Sequence, residues 1–291
     1  MTIAGLDGAP RLQRAWDSRA ALNFIGGGAG TGLLLAAAAA LPAGWPYFPA
    51  GILAIALIGF GLSMVWLEIG RPLRALNVFF HPQTSWMTRE ALVALPVLTL
   101  AGLAVLLDQP FLPLPMQAHV PVGIVAWAAA VLGLAFLYCQ ARILHASRGV
   151  PAWREPALQS FIVVTGVTEG LGLLLVLGLA VAPPAWTLTA SIVALAARAG
   201  AWERYRQRVK LTAPAPAIAA LNQASIWVHL LGHLLPAIIL MGTLMMPSPA
   251  VAAAVAGVAL FVTGAWLKFV VVTRAAFTQG FSIPVVPVRG R

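Results

Sequence analysis

Apolar stretches of about 20 residues recur along this chain with few charges inside them, and that pattern confines it to folds built for a bilayer. A helix needs about 20 apolar residues to cross hydrocarbon, where every backbone polar group must be satisfied internally. Such stretches lie at about 20–41, 48–67, 88–107, 121–144, 157–182, 185–200, 218–246 and 249–273. They predict an all-α, polytopic membrane protein of eight transmembrane helices in a single integral membrane domain over residues 1–291. Most prolines fall between the stretches, as helix punctuation; Pro96 and Pro236 fall inside and predict kinks. Charged residues make up 9% of the chain against about 25% in soluble domains, which excludes a soluble fold. Basic residues precede the first stretch, as in a signal peptide. Its apolar length of about 20 residues exceeds the usual 7–15-residue signal core, so it is read as an uncleaved first span.

Charge placement sets an orientation. With eight spans, the N-terminus, the connections after spans two, four and six, and the C-terminus share one side. All 18 basic residues fall there: Arg11, Arg14, Arg19, Arg71, Arg74, Arg89, Arg142, Arg148, Arg154, Arg198, Arg204, Arg206, Arg208, Lys210, Lys268, Arg274, Arg289 and Arg291. The opposite connections, near 42–48, 108–120, 183–185 and 247–249, carry none. The positive-inside rule makes the basic face and both termini cytoplasmic. A net charge of +10 therefore reflects topology and not nucleic-acid binding, since the cations punctuate spans instead of forming one basic and aromatic stripe.

Redox centres of its own are constrained by composition. One cysteine, Cys139, excludes an internal disulfide and an iron–sulfur cluster, which takes about four thiolates. His229 and His233 are four apart on one helix, so they share a face and cannot sandwich a haem; His81, His119 and His145 lie near span ends. No metal site is expected.

The densest ionisable cluster runs from Leu67 to Glu90, between spans two and three: Glu68, Arg71, Arg74, Asn77, His81, Trp86, Arg89 and Glu90. Ionisable groups beside hydrocarbon mark functional sites by default. Taken singly, Glu90 reads as a helix N-terminal acid favoured by the dipole and Glu68 as a partner of Arg71 or Arg74. Together they meet the needs of quinone chemistry at an interface, which are a slot open to lipid, proton donors or acceptors, and cations against developing negative charge. Gly26, Gly28, Gly30 and Gly32 predict close helix packing in the first span, with room for a flat ring as the second reading. Glu169 is the acid nearest the middle of a span, read as a hydrogen-bonded structural carboxyl or a proton-path acid.

The motif Leu67-Glu68-Ile69-Gly70-Arg71-Pro72-Leu73-Arg74-Ala75-Leu76-Asn77, followed by Ser85-Trp86-Met87-Thr88-Arg89-Glu90, resembles the dimethyl sulfoxide reductase membrane-anchor family, DmsC-like and related to NrfD-like anchors. Arg142 with Val150-Pro151-Ala152-Trp153 supports the match. Trp16 to Gly28 and Trp202-Glu203-Arg204-Tyr205-Arg206 look like the phenylacetyl-CoA:acceptor oxidoreductase anchor branch. The resemblance implies an anchor subunit for anaerobic respiration in a bacterial inner membrane. Such a subunit exchanges electrons between a quinone (menaquinone or ubiquinone) and a four-cluster iron–sulfur subunit that serves a molybdopterin catalytic subunit. It implies that Glu90 is the quinone-site acid. Some members carry histidine where this chain has Glu68. The expected site is thus Glu90, Glu68 and His81 for proton chemistry, with Arg71, Arg74, Arg89, Asn77, Trp86, Gly28 and Arg142 around the ring. The competing expectation is a transporter or proton-conducting protein using Glu169, His229 and His233.

Overall fold

The computed structural model describes residues 7–69, 72–111, 119–245 and 250–282. Arg71 lies outside them, as do Arg289 and Arg291, and the side chain of Arg74 is likewise not described. The architecture is helical. Its long helices are α1 (Ser18–Ala40), α2 (Tyr47–Ile69), α3 (Trp86–Asp108), α4 (Val122–Ala146), α6 (Ala157–Leu177), α7 (Trp186–Val209) and α10 (Ala250–Phe269). A short α5 (Pro151–Arg154) follows α4. A further long helix is made of α8 (Ala215–Trp227), a π-helical turn (Val228–Leu234) and α9 (Leu235–Thr243). A 3₁₀ helix (Pro72–Phe80) links α2 to α3. The one sheet among the described residues is a two-residue antiparallel pair, β1 (Asp7–Gly8) with β2 (Phe281–Ser282).

Seven helices among the described residues are long and apolar enough to cross a membrane. The helix expected from the sixth apolar stretch, α7, is also of spanning length but runs to Val209, beyond that stretch, and carries Arg198, Glu203, Arg204, Arg206 and Arg208. The fifth span is shorter than expected: α6 stops at Leu177 because the chain turns at Gly178, ahead of Pro183 and Pro184.

Helix α1 is the hub, packed on α2, α4, α6 and α10. Its glycines allow this. A Cβ at Gly170 of α6 would overlap the backbone of Gly32 and Leu33, so the two helices meet backbone to backbone. Asp17 caps α1, accepting from the Arg19 N–H at 2.7 Å. The Arg19 side chain beside it holds the exposed Asp17 carboxyl below the usual carboxylate range.

The two described chain ends pair with each other. Beyond β1–β2, Gln13 donates to the Ala276 carbonyl and Leu12 bridges Phe277. This pairing seats Trp16 against the bundle, where it stacks on Trp153 at 4.9 Å between ring centroids. The Trp153 indole N–H in turn donates to the Val271 carbonyl at 2.8 Å, in a π-helical turn (Val270–Arg274) at the end of α10. Buried indole N–H groups need such partners.

Two expectations about basic residues need correction. Arg198 and Lys268, counted with the charged face, are both fully buried inside the bundle. The π-helical turn also answers the expected kink at Pro236. Proline has no N–H to give the carbonyl four residues earlier, that of Gly232, and the Arg198 guanidinium takes it instead.

A buried acid beside a slot open to lipid

Glu90 is the fifth residue of α3, beyond the first turn, so it does not act as the N-terminal acid that its position suggests. Ser85 caps the helix instead, accepting from the Thr88 N–H at 3.3 Å. One turn in, the Glu90 side chain is driven inward to 5% exposure. Its Oε1 accepts from Asn23 Nδ2 of α1 at 3.4 Å. Gln140 of α4 faces the same carboxyl and donates to the Asn23 carbonyl at 3.2 Å. Gly27 makes this possible, since any Cβ there would overlap the Gln140 amide.

Glu90 lies in the wall of two adjoining cavities. One, of about 200 Å³, is bounded by Trp16, Asn23, Phe24, Glu68, Met87 and Ile143 among others. The other, of about 170 Å³, lies behind Val65 and Met87 and is walled by Trp66, Leu76, Phe79 and Leu95. Trp66, Leu76 and Leu95 are each more than half exposed, so this second cavity faces the apolar surroundings of the bundle. A carboxyl thus sits between an apolar cavity and a more polar one.

Of the expected site, the structure brings together Glu90 and Glu68, with Asn23 and Trp16. Glu68 approaches Arg19, while its expected partner Arg71 lies outside the described residues. The other expected members stand elsewhere. His81 and Asn77 are exposed and do not line the cavities. The His81 carbonyl accepts from the N–H groups of Thr84 and Ser85, so the residue serves the turn before α3. Arg89 points away from Glu90, donating to the carbonyls of Pro82 and Gln83 at 2.8 and 2.9 Å. Trp86 holds the guanidinium groups of Arg89 and Arg142 against its ring, at 4.2 and 4.5 Å. These three brace the loop beside the site and do not wall it. Gly28 leaves the ring-binding role too, because Lys268 Nζ occupies the place a Cβ would take.

Sequence reasoning missed Asn23, Gln140 and Trp16 as site members. Asn23 and Gln140 were detectable as amides within apolar stretches, where an unpartnered amide is costly. Nothing local in the sequence pairs Trp16 with Trp153.

The fold and this cavity define an integral membrane protein with a buried acid at an apolar slot. Residues 48–284 match the family described as DMSO reductase anchor subunit (DmsC), and the chain belongs to that family, whose members anchor oxidoreductase complexes in the membrane. A curated relative, a sulfite dehydrogenase subunit from Allochromatium vinosum, is 28% identical over 182 residues. That alignment covers 58% of this chain and 56% of the relative, so the chain spans little more than half the length of that protein.

Proposed function

We propose that this chain is the quinone-reactive membrane subunit of a molybdopterin oxidoreductase. It would pass electrons between membrane quinone and an iron–sulfur subunit docked on its basic face. The observation that carries the reading is the position of Glu90, a buried carboxyl shared by a more polar cavity and an apolar slot. Family membership and the sulfite dehydrogenase relative support the assembly.

The residues present fit a quinone ring. Besides Glu90, the more polar cavity offers Asn23, whose Oδ1 is buried without a protein partner, as is Oε1 of nearby Gln140. Such acceptors suit a group that donates O–H, and Trp16, Phe24 and Met87 supply apolar faces. Bound quinone supplies two-electron, two-proton redox chemistry. Glu90 is then the group that takes or gives a proton at the ring oxygen, through its Oε1 or Oε2. Asn23 fixes the carboxyl orientation, and Glu68, nearer the rim, hands protons between Glu90 and water. Excluding water from the slot strengthens each of these polar contacts.

Pairing of the two described ends, which meet at one end of the bundle, supports the reading that both lie on one side of the membrane. Ends on one side require an even number of crossings, and α7 supplies the eighth beside the seven strongly apolar helices. The basic residues Arg11, Arg14 and Arg19 lie at or near this same end, which favours a cytoplasmic face for the iron–sulfur partner. The test is photolabelling of the full-length chain in membranes with an azidoquinone. Label on peptides containing Trp16, Met87 or Glu90, displaced by excess quinone, supports the reading; label only elsewhere refutes it.

A further inference from the structure

A second ionisable group lies apart from the Glu90 cavities, between α6, α7, α10 and the π-helical turn. Glu169 Oε2 of α6 is 2.5 Å from Lys268 Nζ of α10, and both side chains are fully buried. Two glycines make the space, since a Cβ at Gly264 would press on the Glu169 carboxyl and one at Gly28 on the Lys268 ammonium. Arg198 of α7, equally buried, places a second cation within electrostatic reach of Glu169. Its guanidinium is fixed by the carbonyls of Leu260 (2.8 Å) and Gly232 and by Thr263 Oγ1 (3.3 Å).

The group is not closed on itself. Glu169 Oε1, Arg198 Nε and both ring nitrogens of His233 are buried without protein partners. Glu169 and His233 both lie within electrostatic reach of Arg198, and buried polar atoms are nearly always paired, so orphans around one guanidinium signal exchange with water or ions. From His233 the polar side chains continue outward. The His229 ring lies 5.4 Å away, half exposed, with Nε2 4.0 Å from the Glu203 carboxylate. Glu203 is itself paired with Arg206 at 2.8 Å and partly exposed. A π-helical turn carries both histidines, a device common at functional sites because it opens the backbone ladder.

We propose that Glu169 is a proton-exchanging carboxyl at the inner end of a proton inlet entered at Glu203 and stepped through His229 and His233. An imidazole can accept a proton on one ring nitrogen and release one from the other, and both His233 nitrogens are available for this. In the inward step an N–H bond at His233 breaks as an O–H bond forms at Glu169 Oε1, through intervening water, and His233 returns to neutral. Lys268 then donates to a neutral acid instead of a carboxylate, and no electrons move. The charged neighbours that tune this step are Lys268 on α10 and Arg198 on α7, with His229 and Glu203 further out. Glu90 is no part of the inlet, so it stands or falls separately from the quinone reading.

The test is infrared difference spectroscopy on the full-length chain in liposomes, stepped from about pH 9 to about pH 5 and from H₂O to D₂O. The expected result is a protonated-carboxyl band that grows on acidification and shifts in D₂O. The Glu169 component should be lost from the Glu169→Gln/Lys268→Met double variant, which removes both charges of the pair together, leaves the net buried charge beside Arg198 unchanged, and keeps the bands of other carboxyls such as Glu90. His233→Leu should slow its deuterium exchange by at least about tenfold, and Glu90→Gln should leave it in place. The same spectrum from wild type and the double variant, or an exchange rate unchanged within about twofold in His233→Leu, overturns the proposal.

Discussion

Lys268→Met is the substitution whose cost the structure bounds most tightly. The ammonium it removes lies 2.5 Å from Glu169 in a fully buried pair. Breaking such a pair by deleting one partner costs about 3–5 kcal/mol, because the remaining charge is stranded. A ceiling comes from protonation, since the carboxyl left behind can enter the bundle as the neutral acid. For a carboxyl with an ordinary pKa of about 4.3, taking up a proton at pH 7 spans about 2.7 units at 1.36 kcal/mol each, or about 3.7 kcal/mol. Arg198 lowers this somewhat, though its guanidinium is already held by Leu260, Gly232 and Thr263. The folded variant would hold a proton that the unfolded chain releases, so its stability should fall as pH rises. Between pH 7 and about pH 5 the variant should gain up to about 2.7 kcal/mol, and the deficit shrinks by that amount less whatever wild type gains as its own Glu169 takes up a proton. Adding Glu169→Gln should restore most of the loss, to within about 1 kcal/mol of wild type, since removing both ions is often near neutral. Reversible unfolding in mixed micelles, run as a double-mutant cycle at both pH values, measures these terms. A loss below about 1 kcal/mol that is flat with pH would refute the reasoning.

Three further outcomes follow from the packing and the cap. Gly170→Leu should prevent α1 and α6 from meeting at Gly32 and abolish recovery of folded chain from detergent extracts, whereas Gly102→Leu, in open space, should not. Trp153→Phe loses the 2.8 Å bond to the Val271 carbonyl and loosens the seat of Trp16; about 1–3 kcal/mol of stability should go, measured by thermal denaturation in detergent. Asp17→Asn should change stability by less than about 1 kcal/mol, since the pair with Arg19 is exposed. The Asp17 carboxyl is already held low, so its contribution is present at neutral pH and is lost only as pH falls below the ordinary carboxylate range.

Much of the fold was legible because hydrocarbon imposes a length and a composition on each crossing. Among the described residues, each apolar stretch corresponds to a long helix, seven of them apolar enough to cross a membrane. The reading erred where polar residues belong to a helix interior, as at α7, whose Arg198 looked like a face charge and is instead buried against the Gly232 carbonyl. Lys268 was misread for the same reason, since its place beside Glu169 depends on Gly28 and Gly264, residues of two other turns. At the candidate site, Glu90 and Glu68 could be singled out as charges beside hydrocarbon. The local clustering that added His81, Arg89 and Trp86 misled, because a nine-residue 3₁₀ helix and a turn place sequence neighbours on different sides of the loop. Asn23, Gln140 and Trp16 come from distant segments, and contacts of that range have no local signature.

In the proposed function Glu90 handles the quinone proton. Its most direct test is the Glu90→Gln substitution in the intact complex, with quinone-linked turnover measured beside binding of a quinone analogue. Amide for carboxyl keeps the size and the contact with Asn23 but removes the titrating proton. Turnover should fall by about 10²-fold or more, with analogue binding weakened by less than about tenfold. Turnover within about twofold of wild type would contradict it.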